Sequence, residues 1–137
     1  MPNRPRTYLT LQCTRRCEYC ATCAMPEGRW EPAREARLLT ADEWVARLKE
    51  LGMDAPIFTG GEPTLYPDFV RLINALPAST VYSNLETAID PTAIDPARVC
   101  WSVTLHGGDE RHVRRWTDVA LRFLKAGHRM DFSYIGP

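Results

Sequence analysis

Two kinds of stretch alternate along the chain: runs rich in β-branched and aromatic residues, and runs that carry apolar residues at helical spacing. The first kind recurs at Tyr8 to Gln12, Pro56 to Thr59, Thr80 to Asn84, Val99 to His106 and Met130 to Ile135, and each run reads as a strand. Thr40-Ala-Asp-Glu43 has the pattern of a capping box, in which the Thr hydroxyl and the Glu carboxylate each satisfy a free amide at a helix start. Trp44, Leu48 and Leu51 continue from it as an apolar stripe, and Gly52 is placed to end the helix. Phe69, Val70, Leu72, Ile73 and Leu76 mark a second helix, stopped at Pro77. Pro91 and Pro96 leave room only for short helical turns between Glu86 and Arg98. A last helix begins near Asp109 and carries Val113, Trp116, Val119, Ala120, Phe123 and Leu124 up to Gly127.

Strands alternating with helices imply β-α-β crossovers, hence an α/β fold with a mostly parallel sheet of about five strands. A closed barrel of this kind has eight strands and about 250 residues, so the 137 residues here predict an open, partial TIM-type β/α barrel, one domain over 1–137. In parallel β/α folds functional groups gather where strands end and loops begin. Cys13, Gly60, Asn84 and His106 each follow or close a predicted strand.

Composition narrows the chemistry. With 17 acidic and 17 basic residues the chain carries no net charge, so nucleic acid and anionic membranes are not indicated as partners. Met1-Pro-Asn-Arg-Pro-Arg6 is not followed by the apolar stretch of a signal peptide or membrane span, which makes a cytoplasmic protein the expectation. Four of the five cysteines fall between Cys13 and Cys23, too close together to staple a domain. In a reducing compartment such a cluster points to metal or redox chemistry.

Cys13-Thr-Arg-Arg-Cys17-Glu-Tyr-Cys20 is a C-x3-C-x2-C run directly after the first strand. Three thiolates on one short loop can hold three irons of a four-iron cubane and leave the fourth without a protein ligand. Arg15 and Arg16 would offset part of the negative charge of such a cluster. The plainer reading places three small residues on one helix face, against which stand the preceding strand and the Arg-Arg pair inside the run. Cys23 leaves alternatives: a fourth thiolate that closes the cubane, a zinc site, or no ligand role, the last being favoured. Cys100 reads as a buried strand residue.

At these residues the sequence resembles the radical SAM superfamily, whose signature is C-x3-C-x-aromatic-C, with Tyr19 at the aromatic position. The resemblance implies that Cys13, Cys17 and Cys20 ligate a [4Fe-4S] cluster and that S-adenosylmethionine chelates the open iron. Reductive cleavage would then give a 5'-deoxyadenosyl radical that abstracts hydrogen from a substrate, with an external one-electron reductant as partner. It also implies that Tyr19 lies near the adenine. Ile57-Phe-Thr-Gly60-Gly61-Glu62-Pro63, a strand running into a glycine turn, matches the family's GGEP motif. That match implies backbone binding of the cosubstrate's amino group, with Glu62 either adding a charged contact or holding the turn.

Tyr82-Ser83-Asn84 resembles the Thr-Asn-Gly stretch of the family's third strand, with Leu85 where the glycine stands. Ser102-Val-Thr104-Leu-His106-Gly107 resembles its fourth-strand pattern, which implies contacts from Ser102, Thr104 and His106 to cosubstrate or substrate. Alternation puts those three on one face and Trp101, Val103 and Leu105 on the other. Asp131 and Ser133 share a face on the fifth strand, and Arg111, Arg114 and Arg115 read as a solvated helix face. The resemblance runs out at about the fifth strand, which implies a core shortened on its C-terminal side; the open sheet edge would then be closed by a further copy, by a partner subunit or, if this is a fragment, by the rest of its own chain. The rival function is a non-catalytic iron-sulfur or electron-transfer module.

Overall fold

The computed structural model describes residues 5–20 and 37–136, so Cys23 lies outside the described residues. Five strands form one parallel sheet in the order β1-β2-β3-β4-β5: β1 (Arg6–Thr10), β2 (Ile57–Gly60), β3 (Ser79–Ser83), β4 (Val99–His106) and β5 (Arg129–Ile135). Each neighbouring pair is parallel, and the sheet is open, as the strand and helix alternation predicts. Helix α1 (Ala41–Glu50) lies between β1 and β2, α2 (Phe69–Ala75) between β2 and β3, and α3 (Glu110–Lys125) between β4 and β5. Short 3-10 turns occupy Pro91–Ala93 and Pro96–Arg98, where the two prolines start each turn in place of a longer helix.

The helices form where their caps and stripes meet. Thr40 accepts from the Glu43 amide and Glu43 accepts from the Thr40 amide, so the capping box is made on both sides, while Leu48 supplies the buried stripe. Asp109 caps α3 by accepting from the His112 amide at 2.8 Å. The sheet's helix-facing side is continuous: Leu9, Phe58, Val81, Trp101 and Val103 are all buried and pack with Leu72, Ile73 and Phe123 into one core. Trp101 Nε1 donates to His128 Nδ1 at 3.3 Å, which leaves His128 Nε2 as the donor to the Pro91 carbonyl at 2.8 Å. Those two bonds fasten β4, the start of β5 and the 91–93 turn together.

Three details differ from the sequence reading. β1 begins and ends two residues earlier than the apolar run, because Thr10 pairs with Gly60 at the last register position and its hydroxyl then accepts from the Gln12 amide at 3.1 Å, turning Leu11 and Gln12 out of the sheet. Cys100 is only half-buried, since alternation puts it on the face of Ser102 and Thr104, away from the core that holds Trp101. Leu51, read as part of the α1 stripe, is the helix's C-cap and 63% exposed. As expected of an uncovered sheet edge, Phe132 and Tyr134 on β5, in register with Val103 and Leu105, are 52% and 64% exposed.

Leu85 has φ +60, the left-handed conformation that the family pattern fills with glycine, although its side chain is fully buried. An L residue there costs about 1–2 kcal/mol, and loss of a buried leucine side chain costs about 2–5 kcal/mol. Leu85→Ala keeps the strain and loses the packing, whereas Leu85→Gly loses the packing and relieves the strain. Urea unfolding should therefore find both variants destabilised, with Gly the milder by about 1 kcal/mol, the reverse of the usual order in regular structure. A glycine variant less stable than the alanine one would contradict a strained Leu85.

Candidate functional site

The carboxyl ends of the strands gather the residues that the sequence singles out. The cysteine loop leaves β1 through Gln12, and the turn after β2 is docked against it: Gly61 N donates to Thr10 O at 2.9 Å and Glu62 N to Gln12 O at 2.7 Å. A Cβ on Gly60 would lie 2.2 Å from Thr10 O, and one on Gly61 would lie 2.0 Å from Gln12 O. Both glycines are thus required by the close approach of the backbone at Thr10, the end of β1, and at Gln12 just beyond it, whatever else their main chain binds. Pro63 is buried and opens the 3-10 turn Pro63–Leu65.

Glu62 is 1% exposed and lies under this turn. Its Oε1 accepts from the Thr64 amide at 3.2 Å, the Thr64 hydroxyl at 2.6 Å and the Ser83 hydroxyl at 2.8 Å, and its Oε2 accepts from the Asn84 amide at 2.8 Å. Burial pushes the carboxyl's pKa up and these bonds pull it back. All four partners donate, so the ionised form is the one that satisfies them. Of the two roles open to Glu62, holding the turn is the one its contacts perform.

Cys13 is exposed on the loop, Cys17 and Cys20 are half-buried, and all three thiols line one cavity of about 210 Å³. Thr59, Gly61 and Tyr82 wall it on the β2–β3 side, and Asn84, Thr104, His106 and Tyr19 complete the mouth. Desolvation raises the Cys13 pKa, and the charges of Glu62, Cys17 and Cys20 raise it further against a bond from the Arg15 amide. Ionising all three thiols together therefore needs a compensating cation. Among the described residues no three such side chains converge on a single ion. A cubane asks for something different, one thiolate at each of three separate irons around a shared space, and the thiols round this cavity fit that demand.

On the opposite wall the Tyr19 hydroxyl lies 2.7 Å from His106 Nδ1, and the two rings stack with centroids 5.9 Å apart. His106 Nδ1 is also 4.0 Å from Cys17 Sγ. Desolvation lowers the His106 pKa, and the Arg15 charge adds to that, so the neutral ring is favoured. Thr104 Oγ1, at the mouth, is 2.8 Å from Ser133 Oγ, while Ser133 itself stands behind the lining. Ser102 keeps to the same face of β4 but lies a pleat deeper, in register with Asp131, and neither residue reaches the cavity lining. Gly60 and Pro63 likewise stand behind the lining.

A wider recess of about 670 Å³ continues past Tyr19 and His106 and is bounded by Arg15, Arg16, Glu86, His112, Gly107 and Tyr134. Glu86 and His112 have no place in the sequence reading. Glu86 Oε1 accepts from Arg15 Nη1 at 2.5 Å, and that bond, with the Glu86 charge, raises the guanidinium's pKa against the lowering effect of desolvation. The available signal was spacing alone, since Glu86 stands two residues after Asn84.

The radical SAM superfamily model matches residues 7–133, nearly the whole chain. The chain belongs to the radical SAM superfamily. Among curated relatives, PqqA peptide cyclase of Gluconobacter oxydans is 31% identical over 126 residues, 81% of this chain and 34% of that protein. GTP 3',8-cyclase of Streptomyces coelicolor is 38% identical over 77 residues, 53% of this chain and 21% of that one. Molybdenum cofactor biosynthesis protein 1 of Homo sapiens is 43% identical over 75 residues, 52% of this chain and 11% of that one. The chain thus spans about a third or less of these relatives' lengths. A crystal structure of Streptococcus suis SuiB bound to S-adenosylmethionine shares the fold, with TM-score 0.67 and 17% identity over 93% of this chain and 32% of that one. No helix among the described residues is long and apolar enough to cross a membrane.

Glu62→Gln provides a direct check on the turn. The amide nitrogen cannot accept a hydrogen bond, so at least one of the buried donors on β3 and Thr64 loses its acceptor, a loss worth about 1–3 kcal/mol. Chemical unfolding should show a drop of that size in Glu62→Gln and a larger one in Glu62→Ala. Parental stability in both would mean that the carboxylate does not hold the turn.

Proposed function

We propose that this chain is the cluster- and cosubstrate-binding core of a radical SAM enzyme, with Cys13, Cys17 and Cys20 as ligands of a [4Fe-4S] cluster. When bound, such a cluster with one open iron takes the methionyl end of S-adenosylmethionine and supplies the electron that cleaves its carbon-sulfur bond to a 5'-deoxyadenosyl radical. The observation that carries the reading is the sharing of one cavity by all three thiols, with the β2 turn on one wall and strand-end polar groups on the other.

The protein's own residues divide the work. Thr59, Gly61 and the main chain of the docked turn border the place where an amino acid end would lie beside the thiols. Tyr19 offers an aromatic face at the mouth, and His106, favoured as a neutral ring, holds its hydroxyl. Thr104 presents its hydroxyl at the mouth, where Ser133 bonds to it from behind. The substrate, of unknown class, would enter through the wider recess, which opens beside Tyr19 and His106. The reading also includes an external one-electron reductant and a cytoplasmic location, where free thiols such as these stay reduced. It further includes a second protein surface over β5, where Phe132 and Tyr134 stand exposed.

The alternative, an electron-transfer module, needs a fourth thiolate from Cys23. Anaerobic reconstitution of single variants separates the two. Cys13→Ala, Cys17→Ala and Cys20→Ala should each lose the four-iron electron paramagnetic resonance signal, while Cys23→Ala and Cys100→Ala keep it. Loss of the signal in Cys23→Ala would favour a closed cluster and the alternative.

A further inference from the structure

Two side chains from the segment after β3 grip the cysteine loop. Asn84 Nδ2 donates to Thr14 Oγ1 at 2.9 Å and lies 3.9 Å from Cys13 Sγ. Two residues on, Glu86 Oε1 takes Arg15 Nη1 at 2.5 Å. The residue between them is Leu85, whose left-handed backbone joins the two grips. The segment has fixed footing of its own. The Asn84 amide is held by Glu62 at 2.8 Å, its carbonyl by Trp116 Nε1 at 2.9 Å, and its Oδ1 by the Glu86 amide at 2.9 Å. Behind Arg15, His112 Nε2 is 3.3 Å from Nη1 and 3.7 Å from Glu86 Oε1. The His112 ring is seated so closely on Gly108 that a Cβ there would meet it at 2.4 Å.

The loop's local bonds among the described residues include Cys20 N to Cys17 O at 3.0 Å and Arg15 N to Cys13 Sγ at 3.5 Å, and the Arg15 and Tyr19 side chains also bond to Cys17. Outward, the Tyr19 hydroxyl reaches His106 Nδ1 at 2.7 Å. A short loop loses conformational freedom on taking up a ligand at three points, and a contact that orders it in advance reduces that loss. The Arg15–Glu86 pair joins residues 71 positions apart and is part-buried on both sides, so it restrains the loop against the sheet rather than against itself.

We infer that Glu86, acting through Arg15, is a positioning residue that orders the cysteine loop in the metal-free protein, with Asn84 as the second grip. The purpose of that order, receiving a cluster, rests on the function proposed above; the order itself does not. Amide hydrogen exchange on the full metal-free chain, read over the peptide 12–20, tests it. Arg15→Ala and Glu86→Ala should each speed exchange there by about fivefold, the factor that a pair worth about 1 kcal/mol supplies. The double variant should be no faster than either single one, because the pair acts as a unit. Amides of β4 and α3 should stay as protected as in the parent. If Glu86→Ala does not fold, Glu86→Gln removes the charge at constant size and should still raise exchange in this peptide selectively.

Unchanged exchange in the single variants, additive effects in the double variant, or a rise spread evenly over the sheet would each overturn the inference. On the reconstituted protein, iron release to a chelator should quicken by a similar factor in the single variants and no further in the double one. A parent chain that takes up no iron would defeat the cluster reading, a result separate from the exchange comparison.

Discussion

The main chain of Gly60 and Gly61 lies so close to the end of β1 that a Cβ at either position would fall within about 2 Å of a carbonyl oxygen. That approach lets the Gly61 and Glu62 amides bond to Thr10 and Gln12, and through them the β2 turn and the cysteine loop become one rigid corner. Glu62 extends the corner to the third strand. Its carboxylate collects donors from Thr64, Ser83 and Asn84, so β1, β2 and β3 are locked together at the end where the thiols stand. A buried carboxylate with four donors is costly to remove from water and costly to disturb once paired.

The consequence is a site whose polar groups stand on strand ends while its cysteine loop is held by side chains from other segments. Strand ends and a buried carboxylate set the position of the turn, of Asn84 and of His106. The loop that carries Cys13, Cys17 and Cys20 borrows its order from Asn84, Glu86 and the Gln12 anchor. Burial and the neighbouring charges of Glu62, Cys17 and Cys20 raise the Cys13 pKa, so ionisation of that thiol is favoured by the arrival of a cation.

Much of this was legible in the residues. The capping box at Thr40 and Glu43, the alternation of β4 and the five strand positions all follow from local rules and appear in the fold. The cysteine spacing and the glycine turn were legible as motifs, but the reason for the glycines was not, since it lies in the Thr10 and Gln12 carbonyls, about fifty positions away in sequence. The end of β1 was misread because apolar content continues to Leu11, whereas pairing with β2 stops at Thr10. Glu86 and His112 were invisible for a similar reason: a charge on a loop and a histidine on an Arg-rich helix gain meaning only when folding brings both to Arg15. Leu85, read as a departure from the family's glycine, takes a left-handed backbone angle of the kind glycine favours and fills the core with a side chain that glycine lacks.

The central claim is that three thiolates leave one iron free for S-adenosylmethionine at this corner. Its most direct test is the quantity of 5'-deoxyadenosine formed when the anaerobically reconstituted chain is reduced in the presence of S-adenosylmethionine. The account predicts formation that depends on both reductant and cluster and disappears in Cys17→Ala. A chain that carries a full four-iron cluster, accepts electrons and yet yields no 5'-deoxyadenosine above the cluster-free control would contradict it.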